Sequence, residues 1–142
     1  MKTTEVITQN GPIHVPSVEV EGCPGLAVTS CVFGLFEVTH IKSGQRIIGG
    51  YERAVNAMCT MIEIYLGMKE SGIDPTLGME ELQQAMIKSE VKCKILGNMT
   101  VMEHVNILNP IMVGYSGEFP WEGDEDSPFT RLDELKAMLL EQ

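Results

Sequence analysis

The sequence predicts an α+β fold: a small antiparallel sheet from the N-terminal half, packed by a long amphipathic helix, with two or three further helices after it. Three observations carry that prediction. The first half is rich in β-branched residues broken by glycine turns. The stretch from Tyr51 to Ser71 repeats apolar residues at helical spacing, and two later stretches open on helix-start signals. At 142 residues and 44% hydrophobic, the chain can bury one core and reads as a single domain, 1–142. Within it, 1–50 is strand-rich, 51–109 helical, 110–127 an irregular acidic and aromatic loop, and 128–142 a C-terminal helix.

Residues 1–12 begin polar and end in Asn10-Gly11-Pro12, a turn signal. Ile13, Val15, Val18 and Val20 form an extended stretch. Pro16 interrupts it and suits an edge strand, because proline cannot donate to a ladder. After the turn Glu21–Gly25, Leu26 to Phe33 is a short β-branched strand. A hairpin follows, out through Phe36–Ile41, turning at Lys42-Ser43-Gly44-Gln45, back through Arg46-Ile47-Ile48 and ended by Gly49-Gly50. Alternation puts Phe36, Val38 and His40 on one face and Glu37, Thr39 and Ile41 on the other. Gly44 supplies the positive φ that a tight hairpin loop demands.

Tyr51, Val55, Met58, Ile62, Tyr65 and Met68 recur at steps of three and four, one stripe of a helix. Ala54, Met61 and Leu66 widen it, Glu52, Arg53, Asn56, Thr60, Glu63, Lys69 and Glu70 take the opposite side, and Gly72 is the C-cap. The stripe is wider than one small sheet needs, which predicts a second buried face and a homo-oligomer. A loop from Asp74 to Gly78 leads to a second helix with Met79, Leu82 and Met86 on its stripe and Glu80 and Glu81 in its first turn. A short extended piece has Lys92 and Lys94 outward and Cys93 and Ile95 inward. Thr100 and Glu103 then match a capping box, predicting a helix that stops at about Leu108, before Asn109-Pro110, with a strand as the rival reading because Val101, Val105 and Ile107 are β-branched. Ser127-Pro128 opens the last helix, with Phe129, Leu132, Leu135 and Leu139 at helical spacing.

The charge is −10, from 20 acidic and 10 basic residues, which disfavours direct binding of nucleic-acid phosphates. No apolar run reaches the length of a membrane span, and the first residues lack a signal-peptide core, so the chain reads as cytoplasmic. Cys23, Cys31, Cys59 and Cys93 are widely spaced and only His14, His40 and His104 accompany them. They read as buried free thiols, and neither a metal nor a cofactor is expected. Nucleophile elbows, phosphate loops and metalloprotease motifs have no match in the chain. A small enzyme using Cys31 or His40 is the alternative from a different class, although such pairs arise by chance in most chains. Gly97-Asn98-Met99-Thr100 reads as a capping turn, or as a helix start open to an anion. The ten methionines read chiefly as core filling and secondarily as adaptable contact surface.

Two binding surfaces stand out. Tyr115, Phe119 and Trp121, spaced by glycine and proline and abutting Glu122, Asp124, Glu125 and Asp126, make good contact surface. The bland reading is an ordered loop capping the last helix. Alternatively, Arg46, Arg53, His40 and Asn98 would contact the phosphates of a small nucleotide-like signalling molecule, with Tyr51 as a stacking surface.

The segment Phe36–Gly50 and the helix after it, with Val38-Thr39-His40 before Ser43-Gly44 and Arg46, resembles small accessory proteins of phages and prophages. The resemblance implies a non-enzymatic protein in the host cytoplasm, inhibiting a host protein or protein complex as phage inhibitors of bacterial defence do. Acidity fits that reading, because a negative surface can occupy a site meant for nucleic acid. An oligomeric sponge for the nucleotide-like signal is the alternative.

Overall fold

The structure, a computed structural model, describes residues 2–31, 34–114 and 127–141. Five strands form one antiparallel sheet in sequence order: β1 (Thr3–Thr8), β2 (Gly11–Val18), β3 (Leu26–Thr29), β4 (Phe36–His40) and β5 (Gln45–Tyr51). Helices α1 (Ala54–Glu70), α2 (Met79–Lys88), α3 (Val101–Gly114) and α4 (Pro128–Leu140) follow, with a 3-10 turn at Lys94–Leu96. The class is the α+β arrangement the sequence predicts. No helix of the described residues is long and apolar enough to cross a membrane.

The polar opening is itself a strand, β1, with Thr4 and Val6 buried and Thr3, Glu5 and Ile7 exposed in alternation. β2 is therefore not an edge strand, and the ladder explains how it holds two prolines. The Ser17 N–H donates to the Lys2 carbonyl at 3.0 Å, which places the bonded pairs at Thr4, Val6 and Thr8. Pro12 and Pro16 lie opposite Ile7 and Thr3, in non-bonded pairs where β1 needs no N–H from them. Toward β3, Pro16 only accepts, from the Ser30 N–H at 3.2 Å. β3 stops at Thr29 rather than running to Phe33, because the Ser30 hydroxyl donates to the Leu35 carbonyl at 3.0 Å across the connection. Val32 and Phe33 lie outside the described residues.

The β4–β5 turn forms as predicted: the Gly44 N–H donates to the His40 carbonyl at 2.9 Å, with φ of +71° at Gly44. The Gly44 carbonyl accepts from the Ile7 N–H at 3.0 Å, so β1 closes onto this turn. Gly49-Gly50 does not end β5. Phe36 pairs with Tyr51 and Glu37 with Gly49, which leaves Gly50, at φ +96°, as the extra residue of a bulge. Tyr51 consequently belongs to β5, and α1 starts at Ala54.

Helix α1 is buried on nearly every side, and even Asn56 and Thr60 are covered. One side faces β3, β4 and β5, and another packs against α4 and the 3-10 turn of the same chain. The second buried face thus exists but is covered from within, and the width of the stripe no longer argues for a second copy. Gly67 permits the close approach of the 3-10 turn, since a Cβ there would lie 2.5 Å from Leu96 Cδ1.

The capping box forms: the Glu103 N–H donates to Thr100 Oγ1 at 3.1 Å and the Thr100 N–H to Glu103 Oε1 at 3.0 Å. Helix α3 continues through Pro110 to Gly114 instead of stopping at Leu108, and takes over the start of the loop predicted from 110. Pro110 costs it one intrahelical bond. The Asn109 side-chain amide donates to the Ile47 carbonyl at 3.2 Å and ties this turn to β5. The piece around Cys93 is not a strand but a single bridge, Cys93 to Met99, closing the 3-10 turn. Ser127 caps α4, its hydroxyl accepting from the Thr130 N–H at 3.3 Å, and Leu132, Leu135 and Leu139 are buried while Phe129 is exposed.

Candidate binding groove

Helix α2 owes its position to Leu82 and Met86, its two buried residues, and α3 to the capping box that starts it and to the Asn109 tie. Between these helices and the start of β5 lies an open groove. One hollow of about 380 Å³ is lined by Arg46, Ile47, Met79, Gln83, Met102 and Val105, among others. A second, of about 480 Å³, runs on past Ser89, Glu90 and Lys92 to Thr100 and Glu103. Met86, Ile87 and Met102 line both, so the two hollows adjoin along α2.

The floor is thioether and aliphatic. Met86 is buried, Met79 and Met102 are half-buried, and Ile87 is 63% exposed on the rim. Methionine floors adapt to irregular apolar partners. The rim is sparsely charged. Lys92 and Glu103 neutralise each other at 2.7 Å, and that contact, with the Thr100 N–H, holds the Glu103 carboxyl down at about 2. Arg46 and Glu90 are exposed and form no ion pair among the described residues. A larger hollow of about 620 Å³, at the ends of α1 and α4, is rimmed by Lys69 and Lys94 against Glu70 and Glu141. Its two signs cancel around Leu66, Ile95 and Met138, and none of the sequence candidates reaches it.

Of the candidate ligand contacts, the groove takes up Arg46 alone. His40 is fully buried. Its Nε2–H donates to the Leu77 carbonyl at 2.8 Å, and Nδ1, left as the acceptor, takes the Ser43 hydroxyl at 2.8 Å. Tyr51 is buried and donates to Thr60 Oγ1 at 2.7 Å, so it offers no stacking face. Both corrections have one cause: a polar atom on an inward-facing strand residue finds its partner inside the core. Arg53 stands half-buried at the N-cap of α1, and Asn98 is exposed at φ +66° beyond the 3-10 turn. These five residues do not converge on one site.

Cys31 and His40 are not brought together as a pair either. His40 pairs with Leu26 at one end of β3. Cys31 follows the other end, so the two stand roughly 10 Å or more apart along the strand direction. Cys31 is exposed, contrary to the expectation of four buried thiols, whereas Cys23, Cys59 and Cys93 are buried. Burial pushes the Cys23 thiol up to about 12 and, with Glu63 beside it, the Cys59 thiol to about 11, so both stay protonated. At the start of α3 the capping turn forms, and the Glu103 amide is taken by its own cap. Tyr115, Phe119, Trp121, Glu122, Asp124, Glu125 and Asp126 lie outside the described residues.

Sequence reasoning missed Ile87, Gln83 and Glu90. Ile87 carried a usable signal: it is an isoleucine off the Met79–Leu82–Met86 stripe, on what should be the polar side of α2. Comparison with protein families, with curated proteins and with solved structures finds no match. The chemistry of the groove therefore carries the functional reading.

Proposed function

We propose that the protein is a non-catalytic binding protein that works by seating on a host protein, in the manner of the phage inhibitors of bacterial defence that its hairpin and helix resemble. The observation that supports this reading is the methionine-floored groove with Ile87 and Arg46 at its rim. An apolar hollow with an exposed isoleucine on its rim suits a contact surface, and methionine suits a contact that must mould to its partner. The net charge of −10 adds attraction for a basic surface. The aromatic and acidic segment with Trp121 is the second contact element of the same reading. The sponge reading loses two of its five contacts, His40 and Tyr51, to the core.

The test is capture from bacterial lysate on the immobilised full chain, followed by binding kinetics with the retained protein. One host protein should be retained without chemical change, and either the groove change Ile87→Glu or the change Trp121→Ala should weaken it by about tenfold or more. Retention of no protein, or turnover of the retained partner, would overturn the reading.

A further inference from the structure

The groove is not only apolar; its shape and its two end charges specify an occupant. We propose that it receives an amphipathic α-helix of the partner, lying antiparallel to α2 with its C-terminal end at Arg46 and its N-terminal end at Glu90. This rests on the binding reading above and deepens it.

The choice of a helix follows from what lines the groove. The walls are side chains of α2 and α3, and at the β5 end the Ile47 carbonyl is already taken by Asn109. Between α2 and α3 a strand would find only helix side chains, with no backbone edge to pair with, and would leave its amides over methionine thioethers, at a desolvation cost. A helix satisfies its own backbone and needs only an apolar stripe facing down, which Met79, Met86, Met102, Ile87 and Val105 offer. The length agrees: α2 has ten residues, so the groove beside it runs about 15 Å, enough for two to three helical turns.

The orientation follows from the charges. Of the charged side chains that line the two hollows, Lys92 and Glu103 cancel, which leaves Arg46 at the Met79 end of α2 and Glu90 just beyond its other end; Glu80, Glu81 and Lys88 of α2 line neither hollow. A helix carries partial positive charge at its N-terminus and partial negative charge at its C-terminus. Set antiparallel to α2, the occupant places its negative end at Arg46 and its positive end at Glu90. The reverse orientation would oppose both interactions.

The experiment selects from a displayed library of random peptides of about twelve residues against the full chain, then measures the selected peptides by fluorescence anisotropy and circular dichroism. Selected sequences should carry apolar residues at steps of three and four, basic residues toward the N-terminus and acidic ones toward the C-terminus, and should gain helicity on binding. Ile87→Glu, at an exposed position, should weaken them by about tenfold or more at an unchanged melting temperature. The double variant Arg46→Glu, Glu90→Lys should prefer peptides with the end charges exchanged. Proline-rich or alternating selected sequences, equal binding to Ile87→Glu, an unchanged end preference in the double variant, or an empty selection would each overturn the proposal. So would self-association of the free chain that Ile87→Glu abolishes, since the occupant would then be a second copy. If a host protein is retained equally by wild type and Ile87→Glu, but lost with Trp121→Ala, the helix proposal falls while the binding reading stands.

Discussion

Replacing Gly44 by alanine tests whether β1 is seated on the β4–β5 turn as tightly as the structure has it. Gly44 has φ of +71°, and a Cβ there would lie 2.7 Å from the Glu5 carbonyl oxygen and 3.2 Å from Val6 Cα. Both neighbours are backbone and cannot rotate away, so β1 must withdraw by about 0.7 Å to restore an ordinary 3.4 Å contact. That withdrawal strains the Ile7 N–H bond to the Gly44 carbonyl, now 3.0 Å. Gly72 is the control, with φ of +72° and nothing within 4 Å. Gly72→Ala carries the left-handed backbone cost alone, roughly 1–2 kcal/mol. Gly44→Ala adds the weakened hydrogen bond and the disturbed packing of Val6, about 1–2 kcal/mol more. For a chain of 142 residues each kcal/mol moves the melting temperature by about 3 °C. Thermal unfolding followed by circular dichroism should therefore place Gly44→Ala some 3–6 °C below Gly72→Ala, by the same conversion. Equal melting temperatures for the two variants would refute the close approach of β1 to this turn.

Four further outcomes follow from named contacts. Gly67→Ala should destabilise the chain by about 1–2 kcal/mol through its clash with Leu96, yet in a Leu96→Ala background it should stabilise by up to about 1 kcal/mol of helix propensity; a urea double-mutant cycle checks the change of sign. Glu103, held at about 2 against an ordinary 4.5, binds its proton less readily in the folded chain, so its contribution is present above 4.5 and lost as pH falls toward 2. The melting-temperature gap between wild type and Glu103→Ala, measured from pH 7 to pH 2, should accordingly close over that window. His40→Leu strands the Leu77 carbonyl and should cost about 1–3 kcal/mol in urea unfolding, with no effect on partner affinity once folded. Finally, changing Asp124, Glu125 and Asp126 to amides should slow association with the captured partner chiefly at low salt, whereas Trp121→Ala should speed dissociation; stopped-flow traces at two salt concentrations separate the two.

What could be read from the sequence were features whose cause is local. The Thr100–Glu103 box, the Ser127 cap and the positive φ at Gly44 are each decided within four residues, and each stands where the pattern puts it. What could not be read depends on residues far along the chain. β1 looked polar because its threonines face partners not yet known, Thr4 donating to Ser17 at 2.8 Å in a buried pair. Gly50 looked like a terminator because a bulge and a strand end ask for the same residue. Asn56 and Thr60 looked exposed because nothing local announces that Tyr51 will donate to Thr60 and that α1 will be enclosed by α4. The site divided along the same line. His40 and Tyr51 carry polar atoms that the core consumes, whereas Arg46, exposed on β5, lines the groove.

The charge and the groove then fall into separate roles on the proposed reading. The groove ends carry one cation and one anion, so it is close to neutral and cannot account for attraction at a distance. Five of the twenty acidic residues, Glu118, Glu122, Asp124, Glu125 and Asp126, fall within the stretch between α3 and α4, and that stretch has no basic residue. Fields from exposed charges fade over about 8–10 Å at ordinary salt, so they act on the approach of a basic partner rather than on its seating. Seating depends on the methionines and Ile87, whose contacts are short-ranged and indifferent to salt. A partner suited to both roles is a basic surface that presents an apolar helix, basic at its N-terminal end, where Glu90 waits. Salt should then change how often the two meet, and the groove should set how long they stay together.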